Sequence, residues 1–506
     1  MSEIDYLDDS GSELVIAIVG ALGVDHKKVI ETLKSRFEYY NYETAVTKIS
    51  TEVIPKLSKK TVPTDRFERA KLLIDEGDEL RKKFDDNSIL ALGALNEIYL
   101  KRVKEDELVK KKDEDGFDSV RLKRKVRIIS SLKRPEEVDC LRRVYPRGVY
   151  LVGIYSDPKN REARLVEENG GMEKTQAAEL IKRDEKEKGK YGQRTRDTFH
   201  LADFFVEEDD RNKSFKSQIN RIVDLIFGKP FETPTFDEYA MFQAFSASLR
   251  SADLSRQVGA AISVNRDIVA IGANDCPKPE GGLFWREVDS ETGEYYDEKG
   301  GRDYTTGKDM NTCVRNELFN GVADSLSSEG VSRKDVITVL ESSGFKDITE
   351  YGRMVHAEME ALLSCSRNSI SCRNGILYAT TFPCHNCAKH IIAAGIKEIV
   401  YVEPYPKSKT LEFYSKDEAY EDKILFRPFI GVGPRQFFNL FSMNLSAGGS
   451  IKRKDSSGSN VSFSHHKATP RIAIRPFTYI HIEETIAEAF KKHTENEQNS
   501  TPENST

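Results

Sequence analysis

Four side chains in two short blocks are of the types that hold a metal and move a proton. The stretch TTFPCHNCAKH (380–390) sets Cys384 and Cys387 three apart behind Pro383, and VHAEMEA (355–361) sets His356 two residues before Glu358. Two thiolates and one imidazole fill three corners of tetrahedral zinc and leave the fourth for water, the pattern of a catalytic rather than a structural site. No second Cys-x-x-Cys completes a four-cysteine knuckle; Cys140, Cys276, Cys313, Cys365 and Cys372 are scattered. Zinc lowers the pKa of bound water from about 15.7 to about 7. A carboxylate must then carry the released proton, and Glu358 is the candidate shuttle. Alone, the cysteine pair reads equally as a redox pair or an accident, and His-x-Glu as an ordinary surface pair; the joint pattern outweighs both. His385 and His390 would close the open corner, so both are read as exposed helix positions.

Spacing constrains the elements that carry these groups. Residues i and i+2 of a regular helix point to nearly opposite sides, so His356 belongs at the very start of its helix. Cys384 and Cys387, at i and i+3, share a face. A helix beginning behind Pro383 also favours their thiolates through its free N–H groups and dipole. The pattern expected around the site is a helix at HAEMEALLSC, a strand at ILYATTF, a helix from Cys384 and a strand at EIVYV. Ahead of it stand a helix, FDEYAMFQAFSASLR, and two strands, VGAAISV and DIVAIGAN. Between them lies a long polar interval, about 277–350, read as an insertion with structure of its own. Its Trp285, the one tryptophan of the chain, suits packing as well as base stacking. Past the last strand, EPYPKSKT (403–410) offers Lys407 and Lys409 to phosphate, at the strand ends where α/β sheets bind ligands.

Length and composition bound the rest. A chain of 506 residues exceeds one ordinary core, and 32% charged with 38% hydrophobic residues describes a soluble globular protein. A net charge of −6 and a pI near 6.0 argue against a nucleic-acid partner, which calls for clustered Lys and Arg. No stretch reaches the roughly 20 apolar residues of a membrane helix. The acidic start is no secretory signal, and seven scattered cysteines form no disulfide framework, so cytoplasm is the expected compartment.

The first half alternates apolar runs of strand length with amphipathic helices: ELVIAIVG then DHKKVIETLKSRF, and KVRIISS, PEEVDCLRRVY, GVYLVGIYS. Such runs predict a parallel sheet covered on both faces. GKPFETPTF closes this half. The expected divisions are therefore a domain over 1–228, a linker at 229–236, a second domain over 237–487, and a polar tail at 488–506. Counted from Gly20, a phosphate-binding loop of the form G-x-x-x-x-G-K-[ST] needs glycine, lysine and a hydroxyl residue at 25–27, where the chain has Asp25, His26 and Lys27. The missing lysine argues against phosphoryl transfer. Asp25 reads as a helix N-cap, while Gly20 and Gly23 before a helix can hold a nucleotide through backbone N–H groups.

His-x-Glu with a later Pro-Cys-x-x-Cys is the signature of zinc nucleobase deaminases. With RSADLSRQVGAAISV, IGAND and TTFPCHNCAKHIIAAGIKEIVYVEPYPKS in the same order, the second half resembles the deoxycytidylate deaminase family. The resemblance implies an α/β/α cytidine-deaminase-like fold, a zinc cofactor and hydrolytic loss of the cytosine amino group. It makes His356, Cys384 and Cys387 the ligands and Glu358 the proton donor. It assigns Asn274 to holding the nucleotide and turns the Ala357 N–H toward the base carbonyl, with Asp275 standing where the family often has glycine. The whole chain is most similar to bacterial anti-phage dCTP deaminases that carry a nucleotide-kinase-like domain first. That likeness makes YGQRTRDTFHLADFFV (191–206) a lid whose Arg194 and Arg196 bind phosphates. It implies conversion of dCTP and dCMP to dUTP and dUMP, depletion of dCTP during phage infection, and a homo-oligomer such as a hexamer. It also implies an inhibitory partner and a regulatory nucleotide, dTTP or another, at the first domain. The rival readings are a housekeeping dCMP deaminase supplying thymidylate synthesis, an editor of RNA or DNA strands, and an inert zinc-bound scaffold.

Overall fold

The computed structural model describes residues 12–104, 110–112, 118–120, 124–167, 171–185, 187, 189–208, 214–348, 350–402, 409–414, 420, 423–444, 448–472, 483, 486–488 and 491. It divides into two compact units, one formed by 1–238 with 430–506 and the other by 239–429.

In the first unit the apolar runs form strands β1 (Leu14–Gly20), β2 (Glu43–Lys48), β3 (Lys125–Leu132), β4 (Val149–Tyr155) and β5 (Phe204–Glu207). They lie in the order β2-β3-β1-β4-β5, and every neighbouring pair is parallel. All seven residues of β1 are buried, as expected for a central strand covered on both faces. Helix α1 (His26–Glu38) follows β1, with Asp25 as its N-cap accepting from the Lys28 N–H at 2.9 Å. The expected boundary near 487 is corrected. The short strand Gly431–Val432 pairs antiparallel with β5, and Val432 and Leu440 share the core of Leu14, Val152 and Phe204. Farther on, Glu483 is 0% exposed and accepts from Arg102, which also holds Glu13; Arg127 joins the same carboxylate. Four buried charges of alternating sign satisfy one another there, the arrangement that makes burial of each tolerable.

The second unit centres on a mixed sheet. Strands β6 (Gly259–Val264) and β7 (Asp267–Ala273) form an antiparallel hairpin, turned at Asn265 and Arg266, both with positive φ. Next come β8 (Ile376–Ala379), antiparallel to β6, then β9 (Glu398–Tyr401) and β10 (Leu425–Pro428), each parallel to its predecessor. The insertion carries a two-stranded ribbon, Glu287–Val288 with Tyr295–Tyr296, and helices α2 (Met310–Ser327) and α3 (Arg333–Ser342). Helices α4 (Ala357–Arg367) and α5 (His385–Ala393) bring the metal-ligand types to the sheet. Gly272 in β7 lets α4 come this close: a Cβ there would stand 2.2 Å from the Ala357 carbonyl oxygen. Any side chain at 272 would lift the start of α4, and with it His356, off the sheet.

Candidate zinc site

Both anchoring residues sit at helix starts in extended backbone. His356 is the N-cap of α4 (φ −68°, ψ 151°) and Cys384 that of α5 (φ −70°, ψ 163°). Leaving the helix at His356 frees its side chain from the i, i+2 opposition, so His356 and Glu358 reach one place. A bridge across from Asp275, whose carbonyl accepts the Val355 N–H at 3.0 Å, holds the approach to His356. The turn at Cys384 is closed by its own sulfur, which accepts the Cys387 N–H at 3.4 Å.

The three ligand types converge. His356 Nδ1 lies 3.5 Å from Cys384 Sγ and 3.3 Å from Cys387 Sγ, and the three ligand atoms are within 4.8 Å of one another. Tetrahedral zinc with Zn–S of about 2.3 Å and Zn–N of about 2.0 Å places nitrogen and sulfur about 3.5 Å apart, so the donor set fits the ion. The Cys387 thiol and the His356 imidazole hydrogen-bond to Cys384 and bring its pKa down to about 3 against the cost of burial. Cys387 is held above the ordinary thiol range by the same hydrogen bond with Cys384, by burial and by the nearby Glu358. Hydrogen bonding to Cys384 raises the His356 pKa, against its burial. Glu358 is 3% exposed, and burial raises its carboxyl above the ordinary glutamate range while His356 pulls it down.

The remaining residues named from the second half fall into place differently. Ala357 is fully buried as the first residue of α4, so its N–H belongs to the helix start. Asn274 is buried, and its amide organises the chain itself: Oδ1 accepts the Val258 N–H at 2.7 Å, while Nδ2 donates to Asp253 Oδ2 at 2.8 Å and to the Arg256 carbonyl at 2.9 Å. It shapes the loop 253–258 leading into β6. Asp275 is turned to Arg302 of the insertion, 3.3 Å away. Lys409 is exposed and 4.0 Å from Glu412. Its neighbour Thr410 is buried, with the hydroxyl donating to the Pro383 carbonyl at 3.1 Å, so Lys409 stands beside the metal loop. Lys407 lies outside the described residues. His385 is partly buried beside Phe413, and His390 is exposed. Two positioning groups escaped the sequence reading. One is Thr410; the other is Thr380, whose hydroxyl accepts the Gly259 N–H at 3.0 Å and ties β6 to the metal loop.

In the first unit, Gly20 ends β1 and Gly23 has φ +90°, with a would-be Cβ 2.8 Å from the Arg161 carbonyl oxygen. Two of the loop's N–H groups are taken by carboxylates of the chain: Leu22 N–H by Asp184 at 2.8 Å and Asp25 N–H by Glu208 at 3.1 Å. Lys133 bridges the Gly20 carbonyl and Asp184, and Arg164 bridges the Gly23 carbonyl and Glu208. The stretch expected as a lid is corrected. Its residues form a short helix, Thr195–Phe199, with Thr195, Thr198 and Phe199 buried, and then β5 of the central sheet. Arg194 caps that helix and pairs with Asp197 at 2.8 Å; Arg196 lies within it, partly buried.

Residues 234–403 match the family model for the cytidine and deoxycytidylate deaminase zinc-binding region. The deoxycytidylate deaminase of enterobacteria phage T2 is 30% identical over 166 residues, covering 33% of this chain and 79% of that protein. That of phage T4 is 28% identical over 166 residues, 33% of this chain and 77% of the relative. The human deoxycytidylate deaminase is 29% identical over 202 residues, 40% of this chain and 78% of the relative.

Proposed function

This chain belongs to the cytidine and deoxycytidylate deaminase family, and on that premise we propose that it removes the amino group of free deoxycytidine nucleotides by hydrolysis. Zinc is its cofactor. The observation that carries the reading is the convergence of His356, Cys384 and Cys387 with a buried Glu358 beside them.

In this reading His356 Nδ1 and the two sulfurs hold the ion. Zinc, when bound, acidifies water and makes it nucleophilic at neutral pH. Glu358 takes one proton of the water and delivers it to ring N3, and then carries the second from the added oxygen to the amino nitrogen. Oxygen becomes bonded to C4 of the base, the C4–N bond breaks, and nitrogen leaves as ammonia. The burial that raises Glu358 above the ordinary glutamate range matches a group that must both accept and release a proton. The Ala357 N–H at the start of α4 meets the base carbonyl. Asn274 acts as a positioning residue through loop 253–258. Lys409, beside the metal loop, meets the phosphate end of the nucleotide.

Both dCMP and dCTP are the proposed substrates, the second with the role of depleting dCTP in anti-phage defence. The names of the relatives support dCMP equally as a housekeeping substrate. An acidic chain does not suit a nucleic-acid strand. For the first unit we propose no phosphoryl transfer, since the loop from Gly20 lacks the lysine and a nucleotide on its Leu22 and Asp25 N–H groups would have to displace Asp184 and Glu208. Sensing of a nucleotide through Arg194 and Arg196 would require Arg194 to leave Asp197. The test is a substrate panel of dCTP, dCMP, deoxycytidine and a single-stranded oligonucleotide, with release of the uracil product measured for each. Turnover of dCTP supports the defence reading, turnover of dCMP alone the housekeeping one, and turnover of the oligonucleotide alone overturns both.

A further inference from the structure

A cavity of about 520 Å³ opens in the first unit, and neither the loop from Gly20 nor the stretch 191–206 contributes to its lining. Its volume falls within the roughly 300–1,000 Å³ of small-molecule sites. Phe231, Met443 and Ile451 give it an apolar part, and Phe231 is 50% exposed. Bonds within the chain hold these walls together. The Ile451 N–H donates to the Met443 carbonyl at 2.9 Å, and the Val461 N–H to the Arg453 carbonyl at 3.2 Å. Lys454 bridges to Asn460 in the same turn of chain. Arg453 Nε donates to the Pro230 carbonyl at 2.8 Å, which ties the segment carrying Phe231 to the basic strand.

Charge decides the class of ligand. Lys452, Arg453 and Lys454 are three consecutive cations on the lining, and no carboxylate stands among the lining residues. Among the described residues no acid forms an ion pair with any of the three. Asp455, next in the chain, is engaged in its own turn, where it accepts the Ser457 N–H at 2.9 Å, the Ser457 hydroxyl at 2.6 Å and the Ser459 N–H at 3.0 Å. Like charges without a counter-charge repel, and an anion among them relieves that repulsion through charge-assisted hydrogen bonds. Phe231 adds an open aromatic face, and Asn444 and Asn460 add amide donors and acceptors. A bare inorganic anion would leave these three unused, whereas a flat ring with polar edges uses them. We propose that this cavity binds a small organic phosphate, its phosphate groups on Lys452, Arg453 and Lys454 and its ring against Phe231. The site stands apart from the zinc centre and does not depend on the deaminase reading.

Calorimetric titration of the full zinc-loaded chain tests the proposal, with ATP and inorganic triphosphate as probes. K452E combined with K454E should weaken ATP binding at least tenfold and leave zinc content and unfolding temperature unchanged, since both side chains are exposed. F231A should weaken ATP at least threefold and leave inorganic triphosphate unaltered, because only ATP has a ring to lose. R194A should change neither. The proposal is overturned if neither probe binds at millimolar concentration, or if the double charge reversal leaves ATP binding as it was. It is equally overturned if R194A abolishes binding, which would place the phosphates elsewhere, or if F231A affects both probes alike. Binding of a single-stranded oligonucleotide through Lys452 and Lys454 without binding of ATP would overturn it too, and assign the cavity to a strand.

Discussion

At the scale of single residues, metal holding and proton transfer separate by substitution. Glu358→Gln should keep zinc and fold and lose at least a hundredfold in turnover, since general acid–base catalysis supplies about 10²–10⁴-fold. Cys384→Ala should lose zinc as well, read by metal analysis of the purified variant. A glutamine variant within about tenfold of wild type would remove Glu358 from its role. Asn274→Ala should act differently. It leaves the Val258 N–H and the Arg256 carbonyl without their side-chain partner, at a cost of about 1–3 kcal/mol. Thermal unfolding should drop and KM rise more than kcat falls; a change in kcat alone would argue for direct contact with the base. The zinc quartet was legible in the sequence because residue type and spacing alone define it. The work of Asn274 was not, because its partners at 253–258 lie across the β6–β7 hairpin and only the fold brings them to its amide.

At the scale of elements, the apolar runs announced β1, β3 and β4 correctly because central parallel strands are buried on both faces. The strand Gly431–Val432 has two residues, too few for any periodicity, so the return of the chain to the first unit was unreadable. In YGQRTRDTFHLADFFV the burial of Phe199, Phe204 and Phe205, not the charge of the arginines, decides the place of the stretch. Truncation after 429 should unfold the first unit, since it removes Val432 and Leu440 from the core and Glu483 from Arg102. Glu483→Ala in the full chain should cost about 3–5 kcal/mol, the usual effect of breaking a buried pair, measured by denaturant unfolding. A further prediction concerns His26 at the start of α1. Burial, reinforced by Lys133 and Lys48 against Asp184 and Asp25, brings its pKa down to about 4 from 6.5. A depressed histidine is neutral when folded and protonates more readily when unfolded, so stability is full above pH 6.5 and falls as pH drops toward 4. Between pH 7.5 and 5.5 the loss should be about 1 kcal/mol, and His26→Asn should flatten that part of the stability–pH curve. An unchanged slope in the variant would contradict it.

On the scale of the whole molecule, the family match covers 234–403, while the first unit adds a parallel sheet whose glycine loop is occupied by its own carboxylates. The proposed deaminase chemistry belongs to the second unit. The most direct test of that assignment is conversion of dCMP, and of dCTP, by the purified chain loaded with zinc, followed as uracil nucleotide and ammonia released together. The expected result is one ammonia for each dUMP or dUTP formed, with no phosphate transferred. A folded, zinc-loaded chain that converts neither nucleotide would contradict the account.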